Sequence, residues 1–248
     1  ATVAGARARL MELAGPAPEA PEPIDRETLD AITTRAPGTD LLVNNVEVWN
    51  LIDKGEIFRA MAAEPRMLEI MAPILGADLM LGSWAGRVLF PGAPPQEPHV
   101  DYPYWDLFER DNWPRTIDDS FHLAVEAVVM LDDFTAENGA TGLLPGSQRL
   151  CRWPDPGEFD RSGIQATGPA GSLILFPALT WHGGRGNRSD SSRAAVLGCY
   201  VSKSIRPIED WRRCVRAETI AACEDRLIKL LGVEYPYPAD MDHLPSPD

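Results

Sequence analysis

Only four cysteines and four histidines occur in the 248 residues, which narrows the metal chemistry available to the chain. Cys151, Cys199, Cys214 and Cys223 form no CxxC pair and no dense framework, so a thiolate metal site and a disulfide scaffold are both set aside in favour of reduced thiols. Basic residues are also scarce. Twenty-three lysines and arginines stand against 37 aspartates and glutamates, a formal charge of -14, and a chain so acidic lacks the cationic face that a nucleic-acid backbone requires. No apolar run approaches the ~18 residues of a membrane-spanning helix, and the first residues carry no signal-peptide core. The expectation is a cytoplasmic protein with neither nucleic acid nor membrane as partner. Internal repeats are absent too, and nothing in the sequence fixes the oligomeric state.

What is present reads as one globular domain. Apolar residues make up 44% and charged residues 24%, an ordinary folded composition, and 248 residues suit a single all-β or mixed domain. Twenty-three prolines and twenty glycines favour short elements joined by turns. Residues 4–14 are helix formers that stop at Gly15 before a proline-rich spacer, and residues 25–33 suit a second short helix capped by Asp25. Residues 41–49 are strand formers. The apolar spacing over residues 54–75 predicts two helices broken near Pro65.

A long strand is expected over residues 79–90. Residues 106–120 are an acidic loop, and residues 121–131 alternate as a half-buried strand. Asn138-Gly139 marks a tight turn, and residues 148–168 are a polar, proline-containing excursion. Two further strands are expected over residues 171–177 and 193–202, then a helical tail over residues 207–231 ended by Gly232. Strands in the middle with helices at both ends suggest a double-sheet jelly roll. The division is a lead-in over about 1–78, a β core over about 79–203, and a tail over about 204–248.

Within the core lies the stretch QEPHVDYPYW, residues 96–105. On extended backbone the period of two turns His99 and Asp101 to one face. Of the other histidines, His122, His182 and His243, the best third ligand is His182, which follows the apolar run 172–177 and opens into a polar turn. Two imidazoles and one carboxylate on one side of a metal leave its remaining positions open, as non-haem Fe(II) oxygenases require.

Four ordered blocks resemble the phytanoyl-CoA dioxygenase (PhyH) family of Fe(II)/2-oxoglutarate oxygenases. They are His99-Val100-Asp101, the block ENGATGLLPGS at 137–147, the strand GSLILFP at 171–177 leading to His182, and Arg193 eleven positions further on. The resemblance covers about residues 80–203 and implies a double-stranded β-helix, cupin-like, buttressed by the terminal helices. It also implies an oxidoreductase in which Fe(II) sits on His99, Asp101 and His182, with 2-oxoglutarate and O2 as co-substrates. A small residue in place of Asp101 would imply halogenation; the carboxylate implies oxygenation.

Arg193, returning on the strand after His182, suits the distal carboxylate of 2-oxoglutarate through paired charge-assisted bonds. Many relatives carry a serine two residues after this arginine; here Ala195 stands there, and Thr141 is the expected second donor. Gln96 is expected to touch the 2-oxo acid. Tyr102, Tyr104, Trp105 and Arg87 are the expected substrate contacts, with Trp84 a further residue that could face the cavity. His122 and Glu126 share one face of their strand, and which way that face looks is open. The substrate is expected to be a small molecule, in bacterial natural-product tailoring. Two other readings stand beside this one: a jelly-roll binding module, and a cupin-like metalloenzyme that uses no oxo acid.

Overall fold

The computed structural model describes residues 2–18, 44–101, 122–154 and 157–233, and in it two antiparallel sheets carry the chain. The larger sheet has the order β1-β2-β8-β3-β6, formed by β1 (Asn45–Val48), β2 (Met80–Leu89), β3 (Ala124–Met130), β6 (Leu173–Pro177) and β8 (Arg193–Val201). The smaller has the order β5-β4-β7, formed by β4 (Thr141–Leu143), β5 (Ile164–Gln165) and β7 (His182–Gly184). Strands in the middle and helices at the ends make this an α+β protein, as expected.

The helices explain why the larger sheet needs no water on its outer face. α1 (Val3–Ala14) starts where the Thr2 hydroxyl accepts from the Gly5 N–H and stops at Gly15, whose φ is +73°. α2 (Glu56–Ala62) and α3 (Pro65–Leu75) are the two expected helices. Pro65 sits in the first turn of α3, where its missing N–H costs nothing. Leu10 of α1, Phe58 of α2 and Met67 and Met71 of α3 share one core with Trp84 and Val88 of β2 and with Val196 and Tyr200 of β8.

The aromatic polar atoms in this core all reach a backbone carbonyl. Trp84 Nε1 donates to Phe58 at 3.0 Å, the Tyr200 hydroxyl to Ala62 at 2.7 Å, and Trp211 Nε1 to Leu81 at 2.7 Å. Each such ring removes roughly 150–250 Å² from water, about 4–6 kcal/mol at ~25 cal/mol per Å². Gly198 lets the Trp84 ring lie flat against β8; a Cβ there would collide with it.

Three expectations change. β3 is not half-buried: both of its faces are covered, one by helices and the other by the small sheet. The excursion over residues 148–168 contains a short helix, α4 (Glu158–Ser162), and the strand β5 that pairs with β4. The tail forms three short helices, α5 (Trp211–Cys214), α6 (Ala217–Ala221) and α7 (Asp225–Leu231), the last ended by Gly232 at φ +63°. The helix expected over residues 25–33 and the acidic loop at 106–120 lie outside the described residues, as does His243. No helix among the described residues is long and apolar enough to cross a membrane.

Candidate active site

Residues 96–101 run alongside β7 as a further extended segment of the small sheet. The Gln96 N–H donates to the Gly184 carbonyl at 2.8 Å, His99 and His182 exchange backbone bonds at 2.9 and 3.0 Å, and the Asp101 N–H donates to Ala178 at 3.0 Å. This pairing sets the two histidines side by side, their rings 4.3 Å apart. The period of two brings Asp101 to the same side as His99.

One ligand atom from each of His99, Asp101 and His182 lies within 4.8 Å of the others. His182 Nε2 is 3.0 Å from one Asp101 oxygen and His99 Nε2 is 3.6 Å from the other. Each Nδ1 is held by a backbone carbonyl two residues back, Glu97 for His99 at 2.8 Å and Thr180 for His182 at 3.0 Å. A carbonyl can only accept, so both rings carry their proton on Nδ1 and turn Nε2 inward, the outer support that metal-binding imidazoles need.

Electrostatics complete the ligand character. Burial, with His182 beside it, pushes the His99 imidazole down to about 4, against the pull of Asp101. Burial works to raise Asp101 as well, but the charge and hydrogen bond of His182, with His99 and Arg87 adding, hold it at about 2. In His182 burial disfavours the proton, yet the Asp101 carboxylate wins and raises it. His99 is therefore neutral and Asp101 anionic at neutral pH, the forms a metal binds.

Arg193 opens β8 and is only 2% exposed. Its Nη2 donates to the Gly139 carbonyl at 2.6 Å, and its Cζ lies 4.3 Å over the Phe134 ring. Gly139 has φ +84°, so the expected Asn138-Gly139 turn is what aims that carbonyl. Burial, with Arg87 adding and Asp132 opposing, brings the guanidinium down to about 9, still cationic at neutral pH. Its Nε is buried with no hydrogen-bond partner. Phe134 shares a small apolar cluster with Phe176, and the Phe176 ring lies 4.8 Å from His182, so the arginine and the triad line one interior.

The other expected residues divide. Thr141 is buried and pairs with Gly184 two positions along from the Leu143–His182 pair, so the register gives it the face that His182 shows to the interior. Gln96 Oε1 accepts from Arg87 Nη1 at 3.0 Å and from the Gly184 N–H at 3.2 Å, which fixes its amide beside the site. Arg87 faces inward, but it is tied to Glu47 across the β1–β2 pair. Tyr102, Tyr104 and Trp105 lie outside the described residues. Trp84 does not face the cavity: three residues from Arg87 on one strand, it points to the opposite face and packs on α2. Trp181 packs with Val100, Trp153 and Phe159 and is fully buried.

Glu126 is the residue whose place the sequence left open. On β3 it stands between Phe176 of β6 and Cys199 of β8, on the inner face. Burial pushes its carboxyl well above the usual carboxylate range, the Asp101 charge adding to the effect, and its Oε1 has no hydrogen-bond partner. A lone acid in an otherwise apolar alternating strand was the available signal.

Similarity to known proteins agrees with this geometry. Residues 1–195 match the sequence model of phytanoyl-CoA dioxygenase (PhyH). The dioxygenase af480 of Aspergillus fumigatus is 25% identical over 199 residues, 77% of this chain and 60% of that relative. Among solved structures, HygX from Streptomyces hygroscopicus, with nickel and 2-oxoglutarate bound, superposes with a TM-score of 0.53 at 16% identity over 73% of this chain and 79% of its own. SnoK, a carbocyclase from nogalamycin biosynthesis, does so at 0.53 and 21% identity over 74% and 78%. At these identities the structures speak for a shared fold, and the chain spans about 60% of the length of the curated relatives it first matches. With four-fifths of its length inside the family match, the chain belongs to the phytanoyl-CoA dioxygenase family.

Proposed function

We propose that the protein is an Fe(II)- and 2-oxoglutarate-dependent dioxygenase that oxidises a C–H bond of a small molecule, on a single double-stranded β-helix domain. His99, Asp101 and His182 would hold the iron, since two imidazoles with supported Nδ1 atoms and a carboxylate are a donor set suited to Fe(II). Arg193 would take the distal carboxylate of 2-oxoglutarate, with Thr141 and Gln96 completing that end. When bound, the iron supplies the oxidising chemistry: one oxygen atom of O2 goes to the substrate C–H bond and the other to succinate, with loss of CO2. The chain's own share is to position these molecules and to keep water out.

The observation that carries this reading is the buried Nε of Arg193, a cation with an unmet donor in the interior the triad shares. A buried guanidinium of this kind calls for a carboxylate. A binding module, or a cupin-like enzyme without an oxo acid, leaves it without one. Hydroxylation is the default outcome, and tailoring of a bacterial natural product is the setting that SnoK's origin in nogalamycin biosynthesis supports.

Anaerobic addition of Fe(II) and 2-oxoglutarate should produce the weak visible charge-transfer band of a chelated 2-oxo acid. Arg193→Ala should raise the 2-oxoglutarate concentration needed for half the band by roughly 10–100-fold, the worth of a charge-assisted bond pair. Folded protein that gives no band would favour the two rival readings.

A further inference from the structure

The proposed reaction accounts for the triad and for Arg193 but leaves Glu126 unused. Cross-strand pairs put Phe176, Glu126, Cys199 and Ser83 in one row across the inner face. Phe176 touches His182, so this row lies at the level of the triad. Arg193 lies six residues along β8 from Cys199, about 20 Å by strand rise. The interior therefore presents a guanidinium at one end and a carboxyl at the level of the metal ligands at the other.

Most buried charges of this interior already have a counter-ion. Arg87 is paired with Glu47, Asp132 with Arg7, and Asp101 with His182. Arg193 is matched by the distal carboxylate under the reading above. Glu126 hydrogen-bonds the Cys199 thiol, a weak donor, while its Oε1 has no partner, and no ion pair reaches it among the described residues. A carboxyl in such surroundings stays protonated until a cation comes to pair with it. 2-Oxoglutarate cannot serve, since it is itself an anion.

We infer that Glu126 is a substrate-recognition residue that takes a protonated amine, so that the enzyme acts on a cationic small molecule held by its ammonium group next to the metal site. An ammonium fits every feature of the position. It donates to the unpartnered Oε1 and forms a charge-assisted bond with the carboxyl in place of the thiol's weak one. The overall charge of -14 also draws cations toward the protein. Because the inference rests on the dioxygenase reading, the test begins with a control for that reading.

Glu126→Gln, which keeps shape and removes charge, should retain the Fe(II)–2-oxoglutarate band at wild-type 2-oxoglutarate concentrations. The Zn(II)- and 2-oxoglutarate-loaded protein is then examined by ligand-observed NMR against methylammonium, isobutylammonium and cyclohexylmethylammonium, each beside the neutral alcohol of the same shape. At least one ammonium should bind the wild type about tenfold more tightly than its alcohol, as a charge-assisted bond predicts. Glu126→Gln should erase that preference and Glu126→Asp keep part of it. An alcohol that binds as well as its ammonium, a preference that survives Glu126→Gln, or failure of all three cations to bind the wild type would overturn the assignment. Absence of the band from the wild type would overturn the dioxygenase reading instead, and the assignment with it.

Discussion

Along β8, Ala194, Val196 and Tyr200 point toward the helices, while Arg193, Ala195, Leu197 and Cys199 point toward the small sheet. Both faces are largely buried, yet they treat polar atoms differently. On the outer face Trp84, Tyr200 and Trp211 each donate to a backbone carbonyl, so every ring is satisfied within the chain. On the inner face Arg193 Nε and Glu126 Oε1 have no partner. The rings of the outer face are completed within the chain, whereas the inner face keeps open polar atoms in the interior of the triad, where the proposed ligand chemistry would sit.

Breaking the inner face should show as lost chemistry with little lost stability. His182→Ala is expected to lower turnover by on the order of 10³-fold or more, since it removes a metal donor. Its thermal midpoint should stay within a few degrees of the wild type. Metal content and succinate formation measure the first, calorimetry the second. Retained turnover would contradict the ligand role of His182.

The outer face should behave in the opposite way. Trp84→Ala removes a fully buried ring and should cost about 3–5 kcal/mol in urea unfolding. The protein that remains folded should keep its affinity for 2-oxoglutarate. A variant that loses the co-substrate but not stability would erase the distinction between the faces.

The smallest effect is expected far from both, at Asp53. Burial raises this carboxyl, but the Thr219 hydroxyl at 2.5 Å and Arg216 Nε at 2.8 Å outweigh it and bring it below its ordinary value of 3.8. Its contribution to stability is therefore present above the ordinary carboxylate value and is lost as pH falls through the depressed one. Asp53→Asn should destabilise by about 1 kcal/mol at neutral pH, given the exposed arginine. Unfolding curves of the two proteins should converge at acidic pH, with 2-oxoglutarate binding unchanged at pH 7.

The triad was legible because its signal is local. His99 and Asp101 need only an extended backbone to share a side, and His182 needs only the apolar strand before it. The depth of Arg193 was legible from its offset, but not the route: β7 lies in the small sheet and β8 in the larger one, so the eleven residues cross between sheets rather than return on an adjacent strand. Trp84 was misplaced although the parity rule was available, since residues 84 and 87 on one strand cannot face the same way. The double burial of β3 was not legible, because alternation reports a wet face only when no other layer covers it. Here helices drawn from both ends of the chain do so. Glu47 had no sequence signal at all; its meeting with Arg87 depends on the β1–β2 register across 40 residues.

The paired backbone bonds between His99 and His182 are a single rung of sheet that joins two segments distant in the chain. Whatever opens that rung separates His182 from the two donors on the other segment, His99 and Asp101. Local fraying and loss of a bound ion would then be the same event, and protection of those two amides against solvent exchange would report directly on whether the site is loaded.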